Sequence, residues 1–391
     1  MTTDMQPVLD ILARLIAFPT VSDRSNRALI AYVSEYLSAH DVPHHIFPDE
    51  TGEKDGLIAQ IGPDVAGGVV LSGHTDVVPV EGQVWASDPW VLTQRDGKYF
   101  GRGSCDMKGF LALALAAVPD MIQAPLKRPI QLAFSFDEET GCTGTAPLLR
   151  ELERRFPRAA SVIVGEPTEM RAVTGHKGGI GITTQIHGKA AHSSLPDLGV
   201  SAISYAAQLI QWHDARMQSV QANADSASPF SPPHATLQVG TISGGSAVNI
   251  VPDLCRFESD IRYMPGERGE DWIVAYQAEV SRVERQMQAH HPEAKIYLTD
   301  IDLIPPVAPE TNGSAEALAR QLTGDNSDNV VSYQTEAGHF QLAGYSTVIC
   351  GPGSIAQAHQ PDEFISKDQL RQGQQFIMRL IQRLSAADQP S

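Results

Sequence analysis

This sequence of 391 residues has few cysteines, no long apolar run and no excess of basic residues. The four cysteines form no CxxC pair and no regular framework, which favours a reducing, cytoplasmic location. The longest apolar run, residues 110–118, falls well short of the roughly 20 residues that span a membrane. With 29 basic and 46 acidic residues, the formal net charge of −17 argues against a nucleic-acid partner. We therefore expect a cytoplasmic globular protein with no membrane or nucleic-acid partner.

Four short apolar runs have the length of buried strands, and each is followed closely by glycine or acidic residues: 68–71, 130–136, 161–164 and 347–350. Helical patterns lie between them, at 110–118 and 146–156, and an amphipathic helix ends at Pro19. Buried strands that alternate with helices predict an α/β domain, in which a mainly parallel sheet carries helices on both faces.

The middle of the chain has a different pattern. Residues 180–186 and 254–262 alternate apolar and polar, as half-buried antiparallel strands do. Together with two amphipathic helices and two further strands, they give the order β-α-β-β-α-β, which is that of a split βαβ sandwich. The sequence therefore predicts an inserted α+β domain at 178–300, within a catalytic domain formed by 1–177 and 301–391.

Residues that can bind metal ions stand in the turns beside the predicted strands. Five segments carry acidic residues or histidines there: 72–76, 101–106, 137–139, 165–168 and 358–360. Because the functional crevice of an open α/β sheet lies at the carboxyl ends of its strands, these segments can converge. A single histidine after a strand is usually structural, and a single aspartate before a helix is usually an N-cap. The combination of all five predicts a metal site, since two imidazoles and three carboxylates suit Zn²⁺.

Five motifs in these segments carry a resemblance to a known family. They are HTDVVP from His74, GRGSCDMKG from Gly101, DEET from Asp137, GEPT from Gly165 and QAHQPDE from Gln357. In this order and spacing they resemble the M20 metallopeptidase family, nearly end to end, and most closely its acetylornithine deacetylases. The resemblance implies two Zn²⁺ ions per subunit, for which Co²⁺ or Mn²⁺ can substitute.

The resemblance also implies the role of each ligand. His74 and Glu166 would hold one zinc ion, and Glu139 and His359 would hold the other. Asp106 would bridge the two ions, and the peptide bond that follows it would be cis.

Two more acidic residues match functional positions of the family. Asp76 matches a carboxylate that orients the metal-bound imidazole, although an aspartate here can also be a turn residue. Glu138 matches the general base of an amide hydrolysis by a metal-bound hydroxide. Neither a GxSxG elbow nor an HExxH helix is present, so serine-hydrolase and single-zinc protease chemistry lack their usual markers.

The inserted domain would contribute to binding of the substrate. His192 matches a lid histidine that donates to the oxyanion, from the partner subunit in some dimeric relatives; a structural role is the alternative. Asn249 and Arg262 fall where relatives hold the α-carboxylate of the substrate, and the backbone N–H of Gly353 could also face a carboxylate. We expect a homodimer formed through residues 178–300.

The resemblance implies a small-molecule N-acyl amino acid as the substrate. N2-acetyl-L-ornithine, an intermediate of arginine biosynthesis, would give ornithine and acetate, and Glu336 could meet the δ-ammonium of ornithine or form a structural salt bridge. At Gly338-His339 the deacetylases have Pro-Phe, so acetylcitrulline, succinyl-diaminopimelate, a formylated amide or a dipeptide is the alternative substrate. A non-catalytic relative would usually lack some ligands or the base, and here every candidate is present.

Overall fold

The structure is a computed structural model that describes residues 4–386. The chain divides into two compact units. The first comprises Met1–Gly175, Pro309–Asn329 and Thr335–Ser391, and the second comprises His176–Ala308 and Val330–Gln334. Each unit has its own core of buried apolar side chains.

The described residues contain seventeen strands. Those that begin before residue 178 are β1 (His44–Pro48), β2 (Asp55–Ile61), β3 (Val69–His74), β4 (Thr93–Arg95), β5 (Lys98–Phe100), β6 (Ile130–Ser135), β7 (Ser161–Pro167) and β8 (Val173–His176). The others are β9 (Gly178–His187), β10 (Ala191–His192), β11 (Thr236–Gly244), β12 (Ile250–Val251), β13 (Leu254–Tyr263), β14 (Lys295–Ile304), β15 (Asn329–Val331), β16 (Thr347–Gly351) and β17 (Phe364–Ser366).

The same residues contain ten α-helices and two short 3₁₀ helices. The α-helices are α1 (Gln6–Ile16), α2 (Arg27–Ala39), α3 (Lys108–Ala116), α4 (Val118–Gln123), α5 (Thr145–Arg155), α6 (Ala202–Ala222), α7 (Gly269–His290), α8 (Ser314–Thr323), α9 (Ala337–Leu342) and α10 (Lys367–Ser385). The 3₁₀ helices are Pro196–Leu198 and Ile355–Gln357. No helix among residues 4–386 is both long enough and apolar enough for a membrane span.

The main sheet has eight strands in the order β1-β2-β6-β3-β7-β16-β8-β15. Its central strands β6, β3, β7 and β16 run parallel to one another. Every residue of these four strands is buried, and a strand buried along its whole length is covered on both faces of its sheet. The predicted α/β class with a mainly parallel sheet is confirmed.

The helices of the first unit follow their apolar patterns. Helix α1 buries a stripe of side chains at helical spacing, from Val8 to Ile16, and Pro7 stands in its first turn, where no N–H is needed. Helix α3 is buried from Lys108 to Leu115 because it packs against α1 and α10 as well as the sheet. This burial explains why its sequence is almost wholly apolar.

The second unit is built on an antiparallel sheet in the order β11-β13-β9-β14. Helices α6 and α7 contribute Leu209 and Tyr276 to a core that includes Ile182 and Phe257 from the strands. The order β9-α6-β11-β13-α7-β14 is the predicted one. A short ladder between β10 and β12, which was not predicted, is added to it.

Candidate metal centre

The carboxyl ends of the central strands bring the predicted ligands together. His74 is the last residue of β3, and Glu166 lies in the neighbouring parallel strand β7. Glu138 and Glu139 follow β6, which lies on the other side of β3, and Asp106 lies just before α3. Because these strands are adjacent and parallel, their loops leave the same edge of the sheet.

His74 is the centre of a first group of ligands. Its side chain is fully buried, and its Nε2 lies 3.1 Å from Asp106 Oδ1 and 3.5 Å from Glu166 Oε1. Its Nδ1 lies 2.9 Å from the backbone carbonyl of Asp76, so that Nε2 is turned toward the carboxylates. A ring nitrogen of His74 and carboxylate oxygens of Asp106 and Glu139 lie within 4.8 Å of one another, and His74, Glu138 and Glu166 form a second such group.

His359 is the centre of a second group. Its Nε2 lies 3.0 Å from Glu139 Oε2 and 3.4 Å from Asp106 Oδ2. Asp106 therefore presents one carboxylate oxygen to His74 and the other to His359. This arrangement suits a carboxylate that bridges two metal ions through one oxygen each. The peptide bond between Asp106 and Met107 is cis.

Asp76 holds the His74 ring and the turn that carries the two glutamates. Its Oδ1 lies 3.5 Å from His74 Nδ1, and its Oδ2 accepts a hydrogen bond from Ser22 Oγ at 2.7 Å. The backbone N–H groups of Glu138 and Glu139 donate to its two oxygens, each at 3.2 Å. One buried carboxylate thus fixes both an imidazole and the neighbouring turn.

The carboxylates of the cluster are buried side by side, which changes their pKa values. Burial raises the pKa of Glu166 and Glu138 well above the ordinary value and that of Glu139 to about 7, and neighbouring carboxylates add to the effect. Burial also favours the neutral form of Asp106, but the imidazoles of His359 and His74 lower its pKa. Hydrogen bonds to Asp106 and Glu139 raise the pKa of His359 to about 10. A cluster of this kind favours the binding of positive charge.

Divalent metal ions fit this cluster. Glu166 Oε1 is buried and has no hydrogen-bond donor among the described residues. A buried carboxylate oxygen without a donor is costly unless a cation binds it. The five predicted ligands are two imidazoles and three carboxylates, a mixed nitrogen and oxygen set that suits Zn²⁺, Co²⁺ or Mn²⁺.

Comparison with known proteins decides the family. The model of peptidase family M20/M25/M40 matches residues 70–383 of the chain. The chain belongs to this family. It is therefore a metal-dependent M20 hydrolase, and the resemblance in its motifs is confirmed.

Two M20 relatives are similar over nearly their whole length. The acetylornithine deacetylase of Pasteurella multocida (strain Pm70) is 34% identical over 390 residues, which cover 95% of this chain and 97% of that protein. The acetylornithine deacetylase of Klebsiella pneumoniae (strain 342) is 33% identical over 397 residues, covering 97% and 98%. An M20 family metallo-carboxypeptidase from Sulfolobus solfataricus has the same fold, with a TM-score of 0.75, 17% identity and coverage of 97% of this chain and 99% of that one.

Two residues that are predicted to bind substrate have hydrogen-bond partners within this M20 chain. Glu336 is fully buried, and its oxygens accept hydrogen bonds from Ser72 and Ser135, each at 2.6 Å. The N–H of Gly353 donates to Gln369 Oε1 at 3.0 Å. Hydroxyl groups thus satisfy the Glu336 carboxylate, and a glutamine side chain accepts from the N–H of Gly353; the substrate-binding roles of both residues remain predictions.

The other predicted substrate-binding residues lie in the second unit. His192 in β10 pairs with Ile250 in β12, directly after Asn249, and both His192 and Asn249 are exposed. Arg262 lies near the end of β13, where its Nε is 3.0 Å from Asp260. Strand β12 adjoins the opposite end of β13. Eight residues of extended strand separate Arg262 from that end, a distance on the order of 26 Å. The second unit thus brings His192 and Asn249 together but keeps Arg262 apart from them.

A buried ion pair, for which the sequence predicted no role, holds the loop that carries Asp106. Glu363 lies 2.8 Å from Arg102 Nη1, and both residues are almost completely buried. The same carboxylate accepts hydrogen bonds from the backbone N–H groups of Gly103, Cys105 and Asp106. Both residues belong to the family motifs, but only the tertiary structure reveals that they contact each other.

Proposed function

We propose that this M20 hydrolase is a dinuclear zinc deacylase that removes the acetyl group of N2-acetyl-L-ornithine. The observation that carries the proposal is the position of Asp106 between His74 and His359, with one oxygen directed to each. A carboxylate in this position can bind two metal ions, one through each oxygen. Five ligands also exceed what one four-coordinate ion can use. The 34% identity to the Pasteurella multocida acetylornithine deacetylase supports the choice of substrate.

The reaction is the hydrolysis of an amide. When bound, the ions would polarise the acyl oxygen and lower the pKa of water at the site from 15.7 towards about 7. Glu138 would take a proton from the attacking water, and the C–N bond would break as the same proton passes to the departing amine. The products are acetate and the free α-amino group of ornithine.

Glu138 is well placed for this proton transfer. Its backbone N–H donates to Asp76, and among the described residues its carboxylate accepts a side-chain hydrogen bond from Cys142 Sγ, at 3.6 Å. Burial raises the pKa of Glu138 well above its ordinary value. A raised pKa makes the carboxylate a stronger proton acceptor, as a general base requires.

The second unit would complete the binding site in a homodimer. A guanidinium binds a carboxylate through two parallel hydrogen bonds, which suits Arg262 to the α-carboxylate of the substrate. His192 and Asn249 lie beside the opposite end of β13 from Arg262, too far away to reach the same small molecule. We therefore propose that His192, as donor to the oxyanion, and Asn249 come from the partner subunit.

The surface of the second unit supports a dimer. Strand β11 is at the edge of its sheet, and exposed apolar side chains lie along and beside it, including Ile203, Ile242 and Leu254. An edge strand with free backbone groups can pair with the same strand of a second copy. We propose that residues 178–300 form this interface.

One structural observation favours a second candidate substrate. Glu336 is enclosed by hydroxyl groups, so it is not available as a partner for the δ-ammonium of ornithine. An N-acyl amino acid with an uncharged side chain, such as N-acetyl-L-citrulline, needs no such partner. It would use the same ligands and the same base.

A panel of substrates tests the proposal. The apoenzyme, reloaded with Zn²⁺ or Co²⁺, is assayed with N-acetyl-L-ornithine, N-acetyl-L-citrulline, N-succinyl-diaminopimelate, a formylated amide and a dipeptide. We expect the highest kcat/KM for N-acetyl-L-ornithine. A higher value for N-acetyl-L-citrulline selects the second candidate, and a higher value for the dipeptide contradicts deacylation as the main activity.

A further inference from the structure

His359 is the most exposed of the five predicted ligands. The side chains of His74, Asp106, Glu139 and Glu166 are at most 8% exposed, whereas that of His359 is 50% exposed. His359 lies in a loop after the 3₁₀ helix Ile355–Gln357, and its φ of 64° is in the left-handed region. Its position therefore depends on the contacts that hold this loop.

Gln83 makes one of these contacts with a defined orientation. Its Nε2 donates to the backbone carbonyl of His359 at 3.0 Å. Its Oε1 accepts from Arg102 Nη2 at 2.6 Å and from Trp85 Nε1 at 3.1 Å. Because the arginine and tryptophan nitrogens can only donate, the amide oxygen must face them and the NH₂ must face the carbonyl. Both ends of the Gln83 amide are therefore used.

Arg102 extends this contact to the bridging aspartate. Its Nη1 pairs with Glu363 at 2.8 Å, and Glu363 accepts from the backbone N–H of Asp106 at 3.0 Å. A continuous series of hydrogen bonds thus runs from His359 through Gln83, Arg102 and Glu363 to Asp106. The imidazole at one end and the carboxylate at the other meet at 3.4 Å.

We propose that Gln83 is a positioning residue that determines the metal affinity of the His359 half of the centre. This inference rests on the proposed dinuclear site. His74 and Glu166 are held by strands β3 and β7, so their half of the centre does not depend on Gln83. Groups that orient metal ligands typically contribute 10–100-fold to metal affinity. Loss of the Gln83 amide should therefore weaken one of two binding steps and leave the other unchanged.

The test compares Gln83→Ala and Gln83→Met with the wild type in the full-length chain. Methionine keeps the length of the side chain beside Trp85 and removes its hydrogen bonds. Gln360→Ala is the matched control, because Gln360 is an exposed glutamine next to His359 and only its backbone carbonyl is hydrogen-bonded among the described residues. Metal-free protein is titrated with Co²⁺ alone, and binding is followed by equilibrium dialysis and by the visible absorption of Co²⁺.

We expect two binding steps for the wild type and for Gln360→Ala. In both Gln83 variants one dissociation constant should rise by about 10–100-fold while the other stays the same. Thermal unfolding of the metal-free proteins shows that each variant is folded. Unchanged affinities, or equal weakening of both steps, would overturn the role of Gln83. A wild type that binds fewer than two ions would instead overturn the dinuclear centre and, with it, this inference.

Discussion

Glu138 and Glu139 are adjacent in sequence, yet replacement of each by glutamine should have different effects on metal content. Their backbone N–H groups are both fixed by Asp76, so neither substitution needs to disturb the turn. Glu139 Oε2 lies 3.0 Å from His359 Nε2, among the predicted ligands. Among the described residues, the one side-chain hydrogen bond to the Glu138 carboxylate comes from the Cys142 thiol, to Oε1.

The expected magnitudes follow from these positions. Glu138→Gln keeps the shape of the side chain and removes the proton acceptor, so kcat should fall by about 10²–10⁴, equivalent to about 2.7–5.4 kcal/mol in the barrier. Its metal content should not change. Glu139→Gln removes a carboxylate from the His359 group, so this variant should lose one ion as well as activity.

Metal content and kcat are measured on the same samples after dialysis against metal-free buffer. Glu153→Gln, which alters an exposed glutamate of α5, is the control and should match the wild type in both measurements. Loss of an ion from Glu138→Gln would show that Glu138 is a ligand of the His74 and Glu166 group and not the base. Full metal content in both variants, with a change in KM alone, would refute both roles.

Further predictions concern metal, substrate, assembly and pH. Elemental analysis of fully active protein should find two divalent ions per chain, and one or none contradicts the dinuclear centre. Arg262→Lys should lower kcat/KM for N-acetyl-L-ornithine by about 10²-fold, because lysine cannot bind a carboxylate bidentately. The kcat/KM for an acylated amine without a carboxylate should fall much less, and equal losses for both substrates would give Arg262 a structural role. The variants His192→Ala and Glu138→Gln should each be nearly inactive alone. When they are unfolded and refolded together, roughly a quarter of wild-type activity should return, because half of the dimers then contain one intact site of two. No recovery would place His192 and Glu138 of one site in the same subunit. Burial raises the pKa of Glu336, so its ionisation destabilises the fold as pH rises above the ordinary glutamate pKa of about 4.3. In urea unfolding of the metal-free protein, Glu336→Gln should therefore gain stability relative to the wild type as pH rises above that value, and a difference that does not vary with pH would refute this.

Local patterns were sufficient for the class of fold. Strands β3, β6, β7 and β16 each contain a short stretch rich in apolar residues, and strands β9 and β13 include alternating stretches, so the parallel sheet and the antiparallel sheet could each be predicted. Shorter and more polar elements were not predicted, among them β4, β5 and β17, which form a separate three-stranded sheet. Strands of three residues contain too few positions to show a period, and pairing with distant segments decides their conformation.

The sequence by itself determined the family and the set of candidate ligands. His74, Asp106, Glu139, Glu166 and His359 stand in motifs whose residue types and order are local properties of the chain. Parallel strands then place such turns at one edge of the sheet, which is a general rule and requires no coordinates.

Only the tertiary structure shows which polar groups already have hydrogen-bond partners within the protein and which can bind a ligand. Glu336 accepts from Ser72, 264 residues away in the sequence, and Gln83 reaches the carbonyl of His359, 276 residues away. Arg262 lies at the opposite end of its strand from the segment beside His192. No spacing or composition encodes such contacts, because a hydrogen bond depends on distances of a few ångströms that the packing of whole elements sets.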